Sequence, residues 1–236
     1  MNVLHFYHNS QDMMYFLLVI LPLFLLAFIV QIKMKITYSK YARVMNMKGI
    51  SGAEAARNIL DSMGLRHVRI QKAPGELTDH FDPRTNTLRL SEKNYSGHSV
   101  AAVGVAAHEA GHAIQHAEKY TPVKLRTAVI PAIKFSSWLY IPMFLCGMFY
   151  NMPWFCYISF VVFGISCLFQ LITLPVEFDA SRRAISIIEA RGILDSSEIP
   201  GVKKVLWAAA MTYVVAFLSS LAQLVRILLL SRNNND

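Results

Sequence analysis

The sequence predicts a mainly α-helical membrane protein with about four transmembrane helices and one small α+β domain. Hydrophobic residues make up 54% of the 236 residues, and the mean hydropathy is +0.37, which is high for a water-soluble domain. Long apolar segments lie near the N-terminus and in the second half of the chain, whereas the region between them is more polar. This distribution favours membrane helices on either side of a small folded domain.

Four apolar segments are the predicted membrane spans. Residues 13–30 form an uninterrupted apolar run without the basic start and small-residue cleavage site of a signal peptide, so we expect them to be retained as the first span. Residues 128–150 and 154–176 are separated by only a few residues around Asn151, which predicts a transmembrane hairpin. Residues 205–230 predict the last span.

Basic residues flank these segments at the ends that we expect in the cytoplasm, where lysine and arginine are normally retained. They are Lys33, Lys35, Lys40, Arg43, Lys48, Lys124, Arg126, Lys134, Arg182, Arg183, Arg191, Lys203 and Lys204. The loop around Asn151 carries no basic residue. We therefore expect an external N-terminus and a cytoplasmic region between the first two spans.

Charge and cysteine content exclude two other classes of protein. The formal net charge of +8 is explained by membrane topology, and no RNA- or DNA-binding motif accompanies it, so we expect no nucleic-acid partner. The cysteines, Cys146, Cys156 and Cys167, lie in apolar segments without the spacing of a zinc ribbon or a disulfide framework. The lipid bilayer is the expected partner.

The region between the first two spans predicts helices and strands of a small domain. Residues 51–64 begin with a capping box and end with glycine, which predicts a short soluble helix. Residues 68–70 and 87–90 alternate like strands around a turn at 82–86, which predicts a small β-hairpin or sheet edge. Residues 99–117, rich in alanine and valine, predict a buried helix.

These patterns divide the chain into five parts. We expect an N-terminal anchor at 1–32, a cytoplasmic region at 33–127, a transmembrane hairpin at 128–176, a helix and loop at 177–204, and a C-terminal transmembrane helix and tail at 205–236.

His108, Glu109 and His112 form the motif with the clearest chemistry. Two imidazoles four residues apart lie on one face of a helix and can hold the same tetrahedral ion. Zinc lowers the pKa of a bound water, and an adjacent carboxylate accepts its proton, so Glu109 is the candidate general base. Two core histidines flanking a buried carboxylate would be costly without a metal. The motif therefore predicts a zinc hydrolase, with peptide hydrolysis its usual reaction.

A third protein ligand must come from elsewhere in the chain. The metzincin pattern is absent, because Gln115 stands in place of its glycine and Glu118 in place of its third histidine. We expect Glu177 to supply the ligand from the start of a helix just beyond a span, with Pro175 in the preceding turn. Asp179 is the competing candidate, but residues two apart on a helix point about 200° apart, so the two are not expected to bind together. Asp179 is then expected to support a ligand instead.

Two further histidines are weaker candidates. His116 continues the row of His108 and His112 but lies about 12 Å along the axis from His108, so we expect it to pack or to support a ligand. His80 lies beside a turn, where it either touches the cleft or makes only local hydrogen bonds.

Four stretches, residues 51–57, 77–84, 104–116 and 176–183, carry a resemblance to a known family. With them, nearly the whole chain resembles the bacterial membrane-bound neutral zinc metallopeptidases of the YugP type and, more distantly, the HtpX and Ste24 membrane gluzincins. The resemblance implies a gluzincin-like zinc-peptidase domain in a multi-pass protein of the bacterial inner (plasma) membrane.

The resemblance also implies site residues: one zinc ion per chain at His108, His112 and Glu177, with Glu109 as general base. The HtpX-like pattern has an aspartate four residues after its ligand glutamate, where this chain has Ser181.

Those relatives have a later histidine that stabilises the transition state, and this chain has none after His116. The sequence does not choose among Arg182, Arg183 and Tyr213 as its replacement.

The expected function is that of a membrane-anchored zinc endopeptidase acting on peptides or membrane proteins at the cytoplasmic membrane surface. Residues 87–90 are expected to pair with an extended substrate. One alternative is an intramembrane zinc protease, although the apolar run in 99–117 is too short to span. Another is a non-catalytic metal-binding membrane scaffold, which activity measurements would distinguish. The oligomeric state has no signature in the sequence.

Overall fold

A computed structural model of the chain describes residues 13–150 and 152–233, so Asn151, expected in a loop, lies outside the described residues. Within these ranges the elements are α1 (Leu21–Tyr41), α2 (Gly52–Ser62), β1 (Arg69–Ala73), β2 (His80–Asp82), β3 (Thr87–Ser91), α3 (Glu92–Tyr95), α4 (Val100–Ala117), α5 (Thr121–Phe149), α6 (Pro153–Ala190) and α7 (Ile199–Asn233). A π-helical segment, Phe16–Ile20, leads into α1. The fold is mostly helical with one small sheet, as expected.

Three helical segments in the described part of the chain are long and apolar enough to cross a membrane: Met13–Tyr41, Tyr157–Ala190 and Ile199–Leu229. In α5, Thr121–Ser136 and Trp138–Gly147 meet at an angle of 44° and count as a fourth span if they are taken together as one broken span. Proline inside a helix removes a backbone hydrogen bond and favours such a bend, and α5 contains Pro131 and Pro142. Three spans, or four with α5, agree with the predicted number.

The expectation that Glu177 begins a new helix is wrong. The single helix α6 runs from Pro153 to Ala190 and includes Pro175. Proline at this position removes one N–H donor, but proline is tolerated within membrane helices because neighbouring groups satisfy the carbonyl it leaves. Glu177 therefore lies well inside a continuous helix.

The sheet has the strand order β1-β3-β2. β2 and β3 form an antiparallel hairpin in which Asp82 pairs with Thr87, whereas β1 runs parallel to β3, with Arg69 opposite Thr87. The two segments predicted to alternate are therefore parallel neighbours rather than a hairpin. The hairpin partner β2 was missed because it is only three residues long.

The central position of β3 contradicts the expectation that residues 87–90 pair with a substrate. β1 occupies one edge of this strand along its whole length, and β2 occupies the other edge from Thr87 to Arg89. Beyond β2, the backbone N–H of Ser91 donates to the Asp79 carboxylate at 2.8 Å. Edge strands present the unpaired backbone groups that an added strand needs. The backbone groups on both edges of β3 therefore already have partners within the domain, and they are not available to pair with a substrate strand.

The capping box at the start of α2 is confirmed. The Ser51 hydroxyl accepts a hydrogen bond from the Glu54 backbone N–H at 3.2 Å, and the Glu54 carboxylate accepts one from the Ser51 backbone N–H at 2.7 Å. The backbone N–H and the hydroxyl of Ser51 hold the pKa of the Glu54 carboxyl below its usual value. The buried side of α2, with Ile59 and Leu60, then packs in one core with Val103 and other residues of α4.

The described residues divide into two compact units. One contains the described parts of 1–30 and 212–236 together with most of 125–174, and it holds most of the apolar helical segments. The other contains 31–124 and 175–211, and it holds the sheet, α2, α4 and the C-terminal part of α6. The five-part division of the chain stays a prediction.

Candidate metal centre

The side chains of His108, His112 and Glu177 meet between α4 and α6. The Nε2 atom of His108 lies 3.3 Å from Glu177 Oε2, and that of His112 lies 3.6 Å from the same oxygen. All three donor atoms lie within 4.8 Å of one another. Around a tetrahedral zinc ion with bonds of about 2.1 Å, neighbouring ligand atoms are about 3.4 Å apart. The spacing and chemistry of these donors therefore fit zinc.

A close backbone contact brings α4 and α6 together at this point. A Cβ atom on Gly111 would lie 2.7 Å from the backbone oxygen of Ala180, too close for any other residue without a shift of one helix. Gly111 lies directly before His112, and Ala180 lies one turn after Glu177. The absence of a side chain in the motif thus lets the carboxylate on α6 approach the imidazoles on α4.

Gln115 fixes the orientation of the His112 ring. Its side chain is fully buried, and its Nε2 donates to the Val176 carbonyl at 2.8 Å and to the Asp179 carboxylate at 2.9 Å. Because only the amide nitrogen can donate to these two acceptors, the Gln115 Oε1 must face His112 Nδ1, 3.0 Å away. That oxygen accepts the Nδ1 proton, so the His112 Nε2 lone pair is free to bind a metal.

Ser181 makes the corresponding hydrogen bond with His108. Its hydroxyl lies 3.1 Å from His108 Nδ1 and can accept the proton of that nitrogen. The Nε2 atom, which faces Glu177, then carries the lone pair. Ser181 stands four residues after Glu177, where the distant pattern has an aspartate, so a neutral hydroxyl here replaces a charged carboxylate.

The Asp179 carboxylate is not one of the three converging donors, and it contacts other polar side chains instead. It is buried and accepts hydrogen bonds from Gln115, Arg182 and Arg183. Arg183 also donates to Glu118 at 2.6 Å. The directions of Glu177 and Asp179 differ as expected for residues two apart on a helix. Asp179 is therefore linked to the metal centre through Gln115, which contacts His112.

Glu109 is buried beside the two histidines and adds a second negative charge to the centre. Burial disfavours the charged form of His112, but the nearby carboxylates of Glu177 and Glu109 outweigh this effect, so the pKa of His112 lies above its ordinary value. The same negative field that favours a proton on this ring favours a divalent cation at the centre.

The other predicted candidates are spread over several elements of the fold. His116 is exposed, and its ring centroid is 5.8 Å from that of Phe81. His80 is exposed, and its Nδ1 lies 2.8 Å from the Thr78 carbonyl. Arg182 and Arg183 contact Asp179, as described above. Tyr213 lies on α7 in the compact unit that includes residues 212–236.

Gln115 and Ser181 are the contacts that sequence reasoning missed. Each carries a weak positional signal, because Gln115 lies one helical turn after His112 and Ser181 one turn after Glu177. That spacing alone does not distinguish a hydrogen-bond partner of a ligand from a packing residue.

The substitution Gln115→Met is expected to lower zinc affinity by about 10–100-fold, because it preserves the side-chain volume but removes the acceptor that orients His112. Competition titration of the detergent-purified variant with a zinc indicator measures this change. Gln71→Met, on the exposed strand β1, is the matched control and should leave affinity unchanged. Equal zinc affinities in a folded Gln115→Met variant and the wild type would show that Gln115 does not orient His112 for metal binding.

Comparisons with known proteins agree in identifying peptidases. A family model described as "Putative neutral zinc metallopeptidase" matches residues 15–232. A curated relative, "Putative membrane protease YugP" from Bacillus subtilis (strain 168), is 44% identical over 211 residues, which cover 89% of this chain and 94% of the relative. No solved structure matches.

Proposed function

The chain belongs to this family of neutral zinc metallopeptidases, and from that premise we propose that it is a membrane-anchored zinc endopeptidase with a gluzincin-like active site. The observation that supports the proposal best is the convergence of two imidazoles and one carboxylate at tetrahedral spacing, with Glu109 beside them. His108, His112 and Glu177 are the proposed ligands of one zinc ion per chain. Peptides or segments of membrane proteins are the proposed substrates.

Zinc bound at this centre supplies a Lewis acid that activates water and polarises the scissile carbonyl. The proposed part of Glu109 is to accept the proton of the attacking water and to pass it to the leaving amine. Gln115 and Ser181 hold the two imidazoles with their Nε2 atoms towards the ion. Burial of Glu109 and Glu177 limits competing contacts with water.

Removal of the metal tests this proposal. A chelator should abolish peptide hydrolysis by the detergent-purified protein, and one equivalent of zinc per chain should restore it, whereas magnesium should not, because its preferred ligands are oxygens in an octahedral arrangement. Elemental analysis of the same samples measures the zinc content. Stoichiometric zinc with no turnover of any peptide would favour the metal-binding scaffold instead.

We place the active site at the cytoplasmic surface of the bacterial plasma membrane, on the basis of the basic flanks of the spans. In a variant without the native cysteines, Asn151→Cys should react with an impermeant maleimide added to intact cells. Ser96→Cys, in the exposed part of the sheet-containing unit, should react only after lysis. The reverse labelling pattern would invert the topology.

One observation favours the alternative of cleavage at or within the bilayer. Glu177 lies inside the candidate membrane span Tyr157–Ala190, so the proposed third ligand is on a membrane helix. His108 and His112, by contrast, lie on α4, which packs in the core that also contains α2 and β3. Cleavage sites mapped in a membrane-protein substrate distinguish the two: the surface site predicts cuts outside the spans, and the intramembrane site predicts cuts within them.

A further inference from the structure

A groove between α6 and α7 extends from the metal centre along both helices. Its volume is about 630 Å³, within the range of small-molecule sites, and all its lining residues belong to one compact unit. Apolar side chains, including Phe178, Ile185 and Leu206, form most of its surface. Basic residues line it as well, namely Arg182, Lys203 and Lys204. We call it the interhelical groove.

The interhelical groove is amphipathic along its length. At one end the Phe178 and Trp207 rings are 6.0 Å apart, and at the other Lys203 Nζ contacts Glu189 at 2.9 Å. These two contacts show that α6 and α7 run antiparallel here. From the Phe178 end, α6 and α7 both continue into the apolar parts of their candidate membrane spans. The basic end therefore faces away from the apolar parts of both helices.

The basic groups keep donors for an anion although two of them already have acidic neighbours. Arg182 donates to Asp179, but 78% of its side chain is exposed. Lys203 contacts Glu189, and its side chain is 53% exposed. A guanidinium has five N–H donors and an ammonium has three, so each of these groups retains further N–H donors that can bind an anion. The Lys204 side chain is also exposed.

We propose that the interhelical groove binds an anionic phospholipid. The phosphate contacts Lys203 and Lys204 at the basic end, and an acyl chain lies along Phe178 and the other apolar side chains towards the bilayer. Basic pockets between membrane helices bind anionic head groups, and exposed tryptophans such as Trp207 are typical of the head-group level. The lining carries basic residues at one end of the groove and apolar side chains at the end nearer the apolar spans, and this arrangement favours an anionic lipid over a neutral one.

Fluorescence of Trp207 tests the proposal, because this residue lines the interhelical groove. The substitutions Trp138→Phe and Trp154→Phe leave it as the sole tryptophan of this chain. The protein is reconstituted in phosphatidylcholine vesicles that contain a minor fraction of brominated lipid, either phosphatidylglycerol or phosphatidylcholine. Each basic residue near the surface favours an anionic lipid by about fivefold, so two lysines predict roughly 25-fold enrichment of phosphatidylglycerol beside Trp207.

Stronger quenching by brominated phosphatidylglycerol is the expected result, and Lys203→Gln/Lys204→Gln should remove the difference. Lys204→Gln alone, which keeps the Lys203–Glu189 contact, should reduce the enrichment about fivefold. The matched control Lys33→Gln/Lys35→Gln, beside another span, should retain it. Equal quenching by both lipids, or a difference that persists in Lys203→Gln/Lys204→Gln, overturns the proposal. Equal quenching that an added apolar peptide relieves would assign the interhelical groove to a peptide.

The readout requires neither zinc nor turnover, so its failure is separate from failure of the proposed peptidase activity. The interhelical groove nevertheless borders the metal centre through Ser181, which lines it and also contacts His108.

Discussion

Glu109→Gln is expected to abolish most peptide hydrolysis while zinc remains bound. Glutamine has nearly the shape of glutamate but cannot accept the proton of the attacking water, and general-base catalysis is worth about 10²–10⁴-fold in rate. Glu109 is not one of the three converging donors, so its loss should leave the metal centre intact. Steady-state hydrolysis of a peptide and elemental analysis of zinc measure the two properties on the same preparation.

Glu92→Gln is the matched control for this experiment, because Glu92 is an exposed glutamate that contacts Lys72 and Ser96. That variant should retain wild-type turnover. If Glu109→Gln instead hydrolyses peptide at near the wild-type rate, the general base must be another group. Loss of zinc from Glu109→Gln would indicate that the buried carboxylate supports the metal rather than the reaction.

Glu177→Ala is expected to weaken zinc binding by more than about 100-fold, beyond the range for residues that only orient a ligand. The substitution removes one of three proposed protein ligands and leaves two histidines on one helix. Asp179→Ala should lower zinc affinity less, by about 10–100-fold at most, because Asp179 is linked to His112 through Gln115 and is not one of the three converging donors. Competition titration of both detergent-purified variants with a zinc indicator shows which of them binds zinc more weakly.

Asp179→Asn serves as a control for the charge of this residue, since it keeps the side-chain shape while weakening the contacts with Arg182 and Arg183. All variants should remain monodisperse in detergent, so that affinity is compared between folded proteins. Full zinc affinity in Glu177→Ala together with its loss in Asp179→Ala would transfer the third-ligand role to Asp179.

The features that the sequence predicts well are those that depend on residues close in the chain. The capping box joins residues three apart, and His108 and His112 share a helical face because they are four apart. The apolar segments are equally local, since composition over about 20 residues decides whether a helix can span a bilayer. Glu177 was predicted as the third ligand from its position directly beyond an apolar segment and from the family resemblance.

The features that the sequence does not predict depend on neighbours distant in the chain. Pro175 indicates a helix end in a soluble context, and only its place within α6 shows that the helix continues. The parallel pairing of β1 with β3 depends on the intervening β2, which is too short to recognise. Gln115 acquires its role from Val176 and Asp179, which belong to another helix.

During synthesis, the two histidines of the metal centre are made before Glu177, so the centre is completed late. Gln115 and Val176, which are in contact here, are 61 residues apart in the chain, so α4 emerges well before the carboxylate of α6. Two histidines on one helix hold zinc weakly until α6 has packed against Gly111. We expect ribosome-bound chains that end before residue 177 to hydrolyse no peptide, and activity in such chains would contradict this. On the proposed function, the nascent chain therefore lacks a complete metal centre until α6 has been made.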